Sequence, residues 1–181
     1  MKYCFNVNLT DKDYFEFNKF IAIKSPYNKK QLVTLRLIFP IFFILCIVLL
    51  FLNDEYSSKE RLVSTIIYLI LAVIAEIFTP SILTFFLKQT LKSQKKTGKA
   101  GYSPNSQIEF YDDYFTETTS DGKTENKYSA LERISIVDGY VYIHINGLMG
   151  YILPQSAFSS DEQYNDFLSF ITSKCSVVDK Y

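Results

Sequence analysis

The chain has 181 residues with 19 basic and 19 acidic side chains, a formal net charge of zero, one histidine and three cysteines. One histidine, and no two cysteines at a zinc-ligand spacing, speak against a metal centre, and Cys4, Cys46 and Cys175 supply no disulfide framework. The bulk neutrality conceals segregation: residues 1–36 sum to +4, 88–107 to +5 and 108–181 to −7.

Tyr3, Phe5, Val7 and Leu9 alternate with Lys2, Cys4, Asn6 and Asn8, the period of a strand with one buried face, spanning Lys2 to Leu9. Thr10 then caps a helix. Its hydroxyl can accept from early backbone amides, with Asp13 three residues on and Asp11 at the positive helix end. Tyr14, Phe17, Phe20 and Ile21 form the apolar stripe of that helix, and Ser25-Pro26 ends it. A lone strand has nothing to bond, so Lys2 to Leu9 is expected to pair with strands further along the chain.

Two apolar runs follow, Leu37 to Leu52 with 16 residues and Leu62 to Leu87 with 26, separated by nine residues from Asn53 to Arg61. A helix crossing a hydrocarbon core needs about 20 largely apolar residues, so both read as transmembrane helices, the first extended back to Leu32 with Arg36 snorkelling. Lys24, Lys29, Lys30 and Arg36 precede the first run and Lys88, Lys92, Lys95, Lys96 and Lys99 follow the second, whereas the loop sets Lys59 and Arg61 beside Asp54, Glu55 and Glu60. The positive-inside bias then predicts a multi-pass protein of the inner membrane with both termini cytoplasmic. The first apolar run lies far from Met1 behind a polar stretch, so no cleaved signal peptide is expected.

Beyond the basic segment the pattern becomes a succession of short strands: Ile108 to Tyr111, Tyr114 to Thr118, Lys127 to Ser129, Ile134 to Val137, Tyr140 to Ile145 and Tyr151 to Leu153. Ser120 to Lys123 is a turn, and Asp138-Gly139 and Asn146-Gly147 are hairpin signals, because both central residues of the tightest hairpins need positive φ. His144 falls in an alternating strand and reads as a sheet residue. Ser159 with Glu162 predicts a capping box for a last helix, whose face Tyr164, Phe167, Leu168 and Ile171 would close one end of the strands.

The expected architecture is thus an α+β membrane protein: a transmembrane α-helical hairpin plus a cytoplasmic pleckstrin-homology-like antiparallel β domain with a C-terminal helix. Its segments are 1–31 (strand and helix), 32–52 and 62–87 (transmembrane helices), 53–61 (external loop), 88–104 (basic juxtamembrane segment) and 105–181 (the β domain, completed by strand 2–9). Phe17-Asn18, Ser25-Pro26, Pro80 with the basic residues after it, Tyr128 to Ile134, and Ile152-Leu153-Pro154 followed by Phe158 resemble the YcxB-like family of bacterial two-helix membrane proteins. The family usually has Trp where Tyr128 stands. The resemblance implies this architecture and a bacterial membrane address, and it supplies no activity.

Three features are candidates for function. Glu76 lies near the middle of the second apolar run, where a carboxylate is expected to be protonated or paired, either as part of an ion path or in an interhelical hydrogen bond shared with Thr79, Ser81 or Thr84. Pro80 would free the carbonyl of Glu76 one turn back. Lys88, Lys92, Lys95, Lys96 and Lys99 could contact anionic lipid, although positive-inside topology alone would place them there. The acidity of 108–181 disfavours phosphoinositide headgroups and nucleic acid and is more consistent with a protein partner. No phosphate-binding glycine loop and no nucleophile and base at a recognisable spacing occur, so no cofactor and no enzymatic activity are expected. The chain therefore reads as a membrane-held module for protein binding or regulation. The alternative is an oligomeric membrane component around Glu76, as a small ion pathway or as immunity-type protection against a membrane-active toxin.

Overall fold

A computed structural model describes residues 1–98 and 101–181. The chain divides into two units: residues 1–18 with 91–181 form one, and residues 19–90 form the other.

The first unit is built on β1 (Tyr3–Asn8), whose alternation buries Phe5 and Val7 and exposes Asn6 and Asn8. β1 pairs antiparallel with β2 (Asn105–Phe110), setting Phe5 opposite Ile108 and Tyr3 opposite Phe110. β3 (Tyr114–Thr119) and β4 (Gly122–Lys127) extend the sheet in the order β1-β2-β3-β4. About a hundred residues of chain therefore separate two neighbouring strands.

The second sheet has the order β7-β6-β5-β8, from β5 (Arg133–Val137), β6 (Tyr140–His144), β7 (Gly150–Leu153) and β8 (Val178–Lys180). The β5–β6 turn has Asp138 at φ 46° and Gly139 at φ 84°, the left-handed pair that a two-residue hairpin needs. Between β7 and β8 runs the helix α4 (Asp161–Thr172), with Phe167 and Ile171 fully buried. The Phe167 ring lies 4.9 Å from both Phe5 and Phe110, so α4 packs against the strand that precedes the hairpin and the one that follows it. Phe115, Ile134, Val141, Ile143 and Leu153 complete the same core from both sheets.

Several sequence expectations need correction here. Lys127 to Ser129 is not a strand: β4 ends at Lys127 and Tyr128–Ala130 is a 3-10 turn that buries Tyr128, whose hydroxyl donates to the Tyr111 carbonyl at 2.8 Å. Asn146-Gly147 is not a two-residue hairpin. The β6–β7 loop is longer, and the Asn146 side chain accepts from the amides of Leu148 and Met149, an Asx turn that leaves neither residue at positive φ. The cap of α4 is Ser160 accepting from the Gln163 amide, one residue beyond the expected Ser159 and Glu162, while Gln163 returns its carbonyl to the Ser159 amide and hydroxyl. Beyond α4 the chain adds β8, which pairs parallel with β5 and was not anticipated.

The helix α1 (Asp11–Ile23) begins in this unit. Its capping box is as expected: the Asp13 amide donates to the Thr10 hydroxyl, and the Thr10 amide donates to the Asp13 carboxylate at 2.8 Å. α1 ends in the second unit, and Ser25 then caps a 3-10 turn over Pro26–Asn28 by accepting from the Tyr27 amide.

The second unit is dominated by α2 (Lys29–Leu52) and α3 (Ser58–Lys96), whose final turns, from Leu91, belong to the first unit. The connection between them is shorter than the nine residues expected. Ser57 and Glu60 form a capping box, the Ser57 amide donating to the Glu60 carboxylate at 2.8 Å, so the helix starts at Ser58. Pro40 and Pro80 both lie inside helices, each withholding an amide from the carbonyl one turn back. In α2 and α3 the buried residues are Leu50 and Thr79, and side chains such as Ile41, Leu49, Val73, Ile77 and Phe86 face outward. Both helices are long and apolar enough to cross a membrane.

Candidate functional site

The sheet unit holds a partly open cavity of about 450 Å³, within the range of small-molecule sites. Its walls come from four stretches far apart in the chain. Ser106 and Ile108 of β2, Glu117 of β3 and Thr124 and Asn126 of β4 line one side, and Tyr151 and Ile152 of β7 another. Leu9 with Tyr14, Phe17 and Asn18 of α1, and the segment Gly101 to Ser103, close over it, and Leu148 and Met149 stand at its edge.

Register explains how a carboxylate reaches this wall. Glu117 lies across from Ile108 on one side and Thr124 on the other, and it shares the parity of Phe115, which is fully buried. Partial burial pushes the Glu117 carboxyl above its ordinary range, against the opposing effect of a hydrogen bond from Ser106. On the neighbouring strand, the Asn126 side-chain amide, across from Phe115, donates to the Tyr151 hydroxyl at 2.7 Å, linking the edge strands of the two sheets. Among the described residues lining the cavity there is one carboxylate and no Lys, Arg or His.

The closing segment is held by α1. Tyr14 and Tyr102 stack with centroids 4.6 Å apart, and a Cβ on Gly101 would come within 2.2 Å of the Tyr14 hydroxyl, so only glycine fits without moving that ring. Asp11 accepts from the Tyr102 hydroxyl at 2.6 Å and from Lys95 at the end of α3. Those two partners, Lys95 first, hold the Asp11 carboxyl below its usual range, while burial and then Asp11 push Tyr102 up to about 12. Two residues on, Asp13 accepts from the Tyr140 hydroxyl at 2.7 Å, fastening α1 to the β5–β6 hairpin. The chain is thus pinned on both sides of the helical insertion, just after β1 and just before β2.

The residues singled out from sequence lie elsewhere. Glu76 and Pro80 are half-buried on α3 and Thr79 is 2% exposed. The Thr79 hydroxyl donates to the Ala75 carbonyl and the Thr84 hydroxyl to that of Pro80, each bonding back along its own helix. Lys88, Lys92, Lys95 and Lys96 are exposed on α3, Lys95 being bonded to Asp11; Lys99 lies outside the described residues. His144 is fully buried with Nε2 3.1 Å from the Ser135 hydroxyl, and burial, reinforced by Arg133, lowers its pKa to about 4. It is a neutral packing residue at physiological pH. Sequence reasoning missed Glu117, although its inward parity with Phe115 was readable; the cavity itself, assembled from distant segments, had no local signal.

Fold and site together define an α+β protein in which a pair of long apolar helices interrupts a largely antiparallel sheet domain that holds a partly open cavity. Residues 110–171 match the family described as YcxB-like protein, the same family the sequence resembles. The match runs from the last residue of β2 to the core residue Ile171 of α4, and β1 and β8 lie beyond it. No curated protein and no solved structure matches the chain.

Proposed function

We propose that this is a bacterial inner-membrane protein that crosses the bilayer twice and presents its sheet domain to the cytoplasm as a non-enzymatic module for protein binding or regulation. The observation that carries the reading is the outward apolar surface of α2 and α3, where Leu50 and Thr79 are the buried positions. Such a surface is stable in lipid, and helices satisfy their own backbone hydrogen bonds there. The charge distribution supports the orientation, with lysines beyond the outer ends of both apolar runs and a mixed-charge stretch, 53–61, between the runs.

The sheet unit supports a pleckstrin-homology-like module: two four-stranded sheets with α4 packed on their shared core. Its acidity favours a protein over a phosphorylated headgroup as partner, with the membrane lipids solvating the helices and a homo-oligomer as one form the partnership can take. Labelling of intact cells with a membrane-impermeant maleimide tests the topology. On a Cys46→Ser background, Cys4 and Cys175 should react after permeabilisation, and a cysteine placed at Ser57 should react before it. Reaction of Cys175 in intact cells would overturn the reading. For the module role, Glu76→Gln should leave in-cell crosslinks to the sheet domain unchanged, whereas loss of those crosslinks would move the working part into the bilayer.

A further inference from the structure

We propose that the cavity of the sheet domain is a binding site for a small organic cation, a primary or secondary ammonium on an apolar body, with Glu117 as its counter-ion. The inference concerns the sheet domain and holds independently of the membrane reading.

The lining selects the charge. An anion would enter a site whose described residues offer no cation and one carboxylate, and would be desolvated without compensation. A wholly apolar ligand would strip water from Glu117 and leave only Ser106 to bond it. An ammonium meets both demands: it replaces the lost hydration of the carboxylate, and its remaining protons face the hydroxyls of Ser106 and Thr124 and the Asn126 side chain. The aromatic side chains of Tyr14, Phe17, Tyr102 and Tyr151 also line the cavity, a composition that favours an organic cation.

The lining also selects the body. Leu9, Ile108, Ile145 and Ile152 give the interior an apolar floor. Leu148 and Met149, 69% and 66% exposed, are large apolar side chains at the mouth, and a thioether adapts readily to the shape of a ligand. Among the described residues lining the cavity, the groups besides Glu117 that can titrate are tyrosines: Tyr14 of α1, Tyr102 and Tyr151 of β7. The carboxyl is therefore the lining group whose ionisation sets binding, and ammonium affinity should rise with pH until Glu117 is fully ionised, at a higher pH than an ordinary carboxylate requires.

The test uses the full chain in lipid nanodiscs, titrated calorimetrically with phenethylammonium, 2-phenylethanol and 3-phenylpropionate against empty nanodiscs. The ammonium should bind at least about tenfold more tightly than the alcohol, as expected for a hydrogen-bonded charge pair, and the carboxylate should not bind measurably. Glu117→Gln should weaken the ammonium about tenfold and leave the alcohol unchanged, whereas Glu125→Gln on the exposed face of β4 should alter neither. Equal affinity of the three probes for the wild-type chain, or no saturable binding of any, overturns the proposal whether or not Glu117→Gln folds.

Discussion

Truncating Phe5 tests whether six residues at the start of the chain are structurally part of a sheet that resumes at Asn105. Phe5 is 1% exposed, and its ring lies 4.9 Å from Phe158, 4.9 Å from Phe167 and 6.0 Å from Phe110, so Phe5→Ala opens a cavity where β1, β2, the turn after β7 and α4 meet. Core Phe→Ala changes cost about 3–5 kcal/mol, the lost transfer energy plus the penalty of a site that cannot collapse. At about 1.4 kcal/mol per decade, the amides of Ile108 and Phe110 should exchange with solvent deuterium roughly a hundred- to several-thousandfold faster if they exchange by unfolding of the domain. Asn6→Ala, on the exposed face of the same strand, should change exchange by less than about threefold. The measurement is hydrogen exchange of the full chain in nanodiscs, read on peptides covering β2 and α4. Unchanged protection of β2 in Phe5→Ala would refute the argument that β1 belongs to this core.

His144, lowered to about 4 from an ordinary 6.5, makes acid stability a second test. As pH falls below 6.5 the unfolded chain takes up the proton first, so the stability contributed by the neutral ring is complete above 6.5 and is lost progressively down to about 4, a difference of roughly 3 kcal/mol. His144→Gln should flatten denaturant midpoints across that window, and an unaltered pH slope would contradict the assignment. Asp11→Asn removes the carboxylate that accepts from Tyr102 and Lys95; the Tyr102 hydroxyl should then titrate below its present value of about 12, read by tyrosinate absorbance against a Tyr102→Phe reference. No change in that titration would mean that Asp11 does not hold the segment before β2.

Legibility followed sequence distance. Patterns that repeat within one turn or one strand were readable: the period of two in β1, the apolar lengths of α2 and α3, the Thr10 and Asp13 box, and the buried face of α4. The Ser57 and Glu60 box was equally local and explains the early start of α3. By contrast β8 is three residues with no alternation to reveal it, and its place beside β5 depends on where α4 releases the chain. The Asn146-Gly147 pair reads like the Asp138-Gly139 pair in sequence. Only the strands' separation shows that one turn closes in two residues and the other needs a longer loop.

What the amino-acid order alone determined is the set of elements and their solvents: hydrophobic length and period decide which segments suit lipid, which make half-buried strands, and where charge accumulates. What the tertiary structure decided is which elements became neighbours. β1 meets β2 across the whole helical insertion because burying Phe5 and Val7 requires a partner strand, and chain separation costs only the slowly growing entropy of loop closure. The same closure brings Glu117 into one cavity with residues of α1 and β7, making an ordinary strand carboxylate the one charged group among the described residues of its lining. A carboxylate's chemistry depends on the groups around it, and those groups are supplied by the fold.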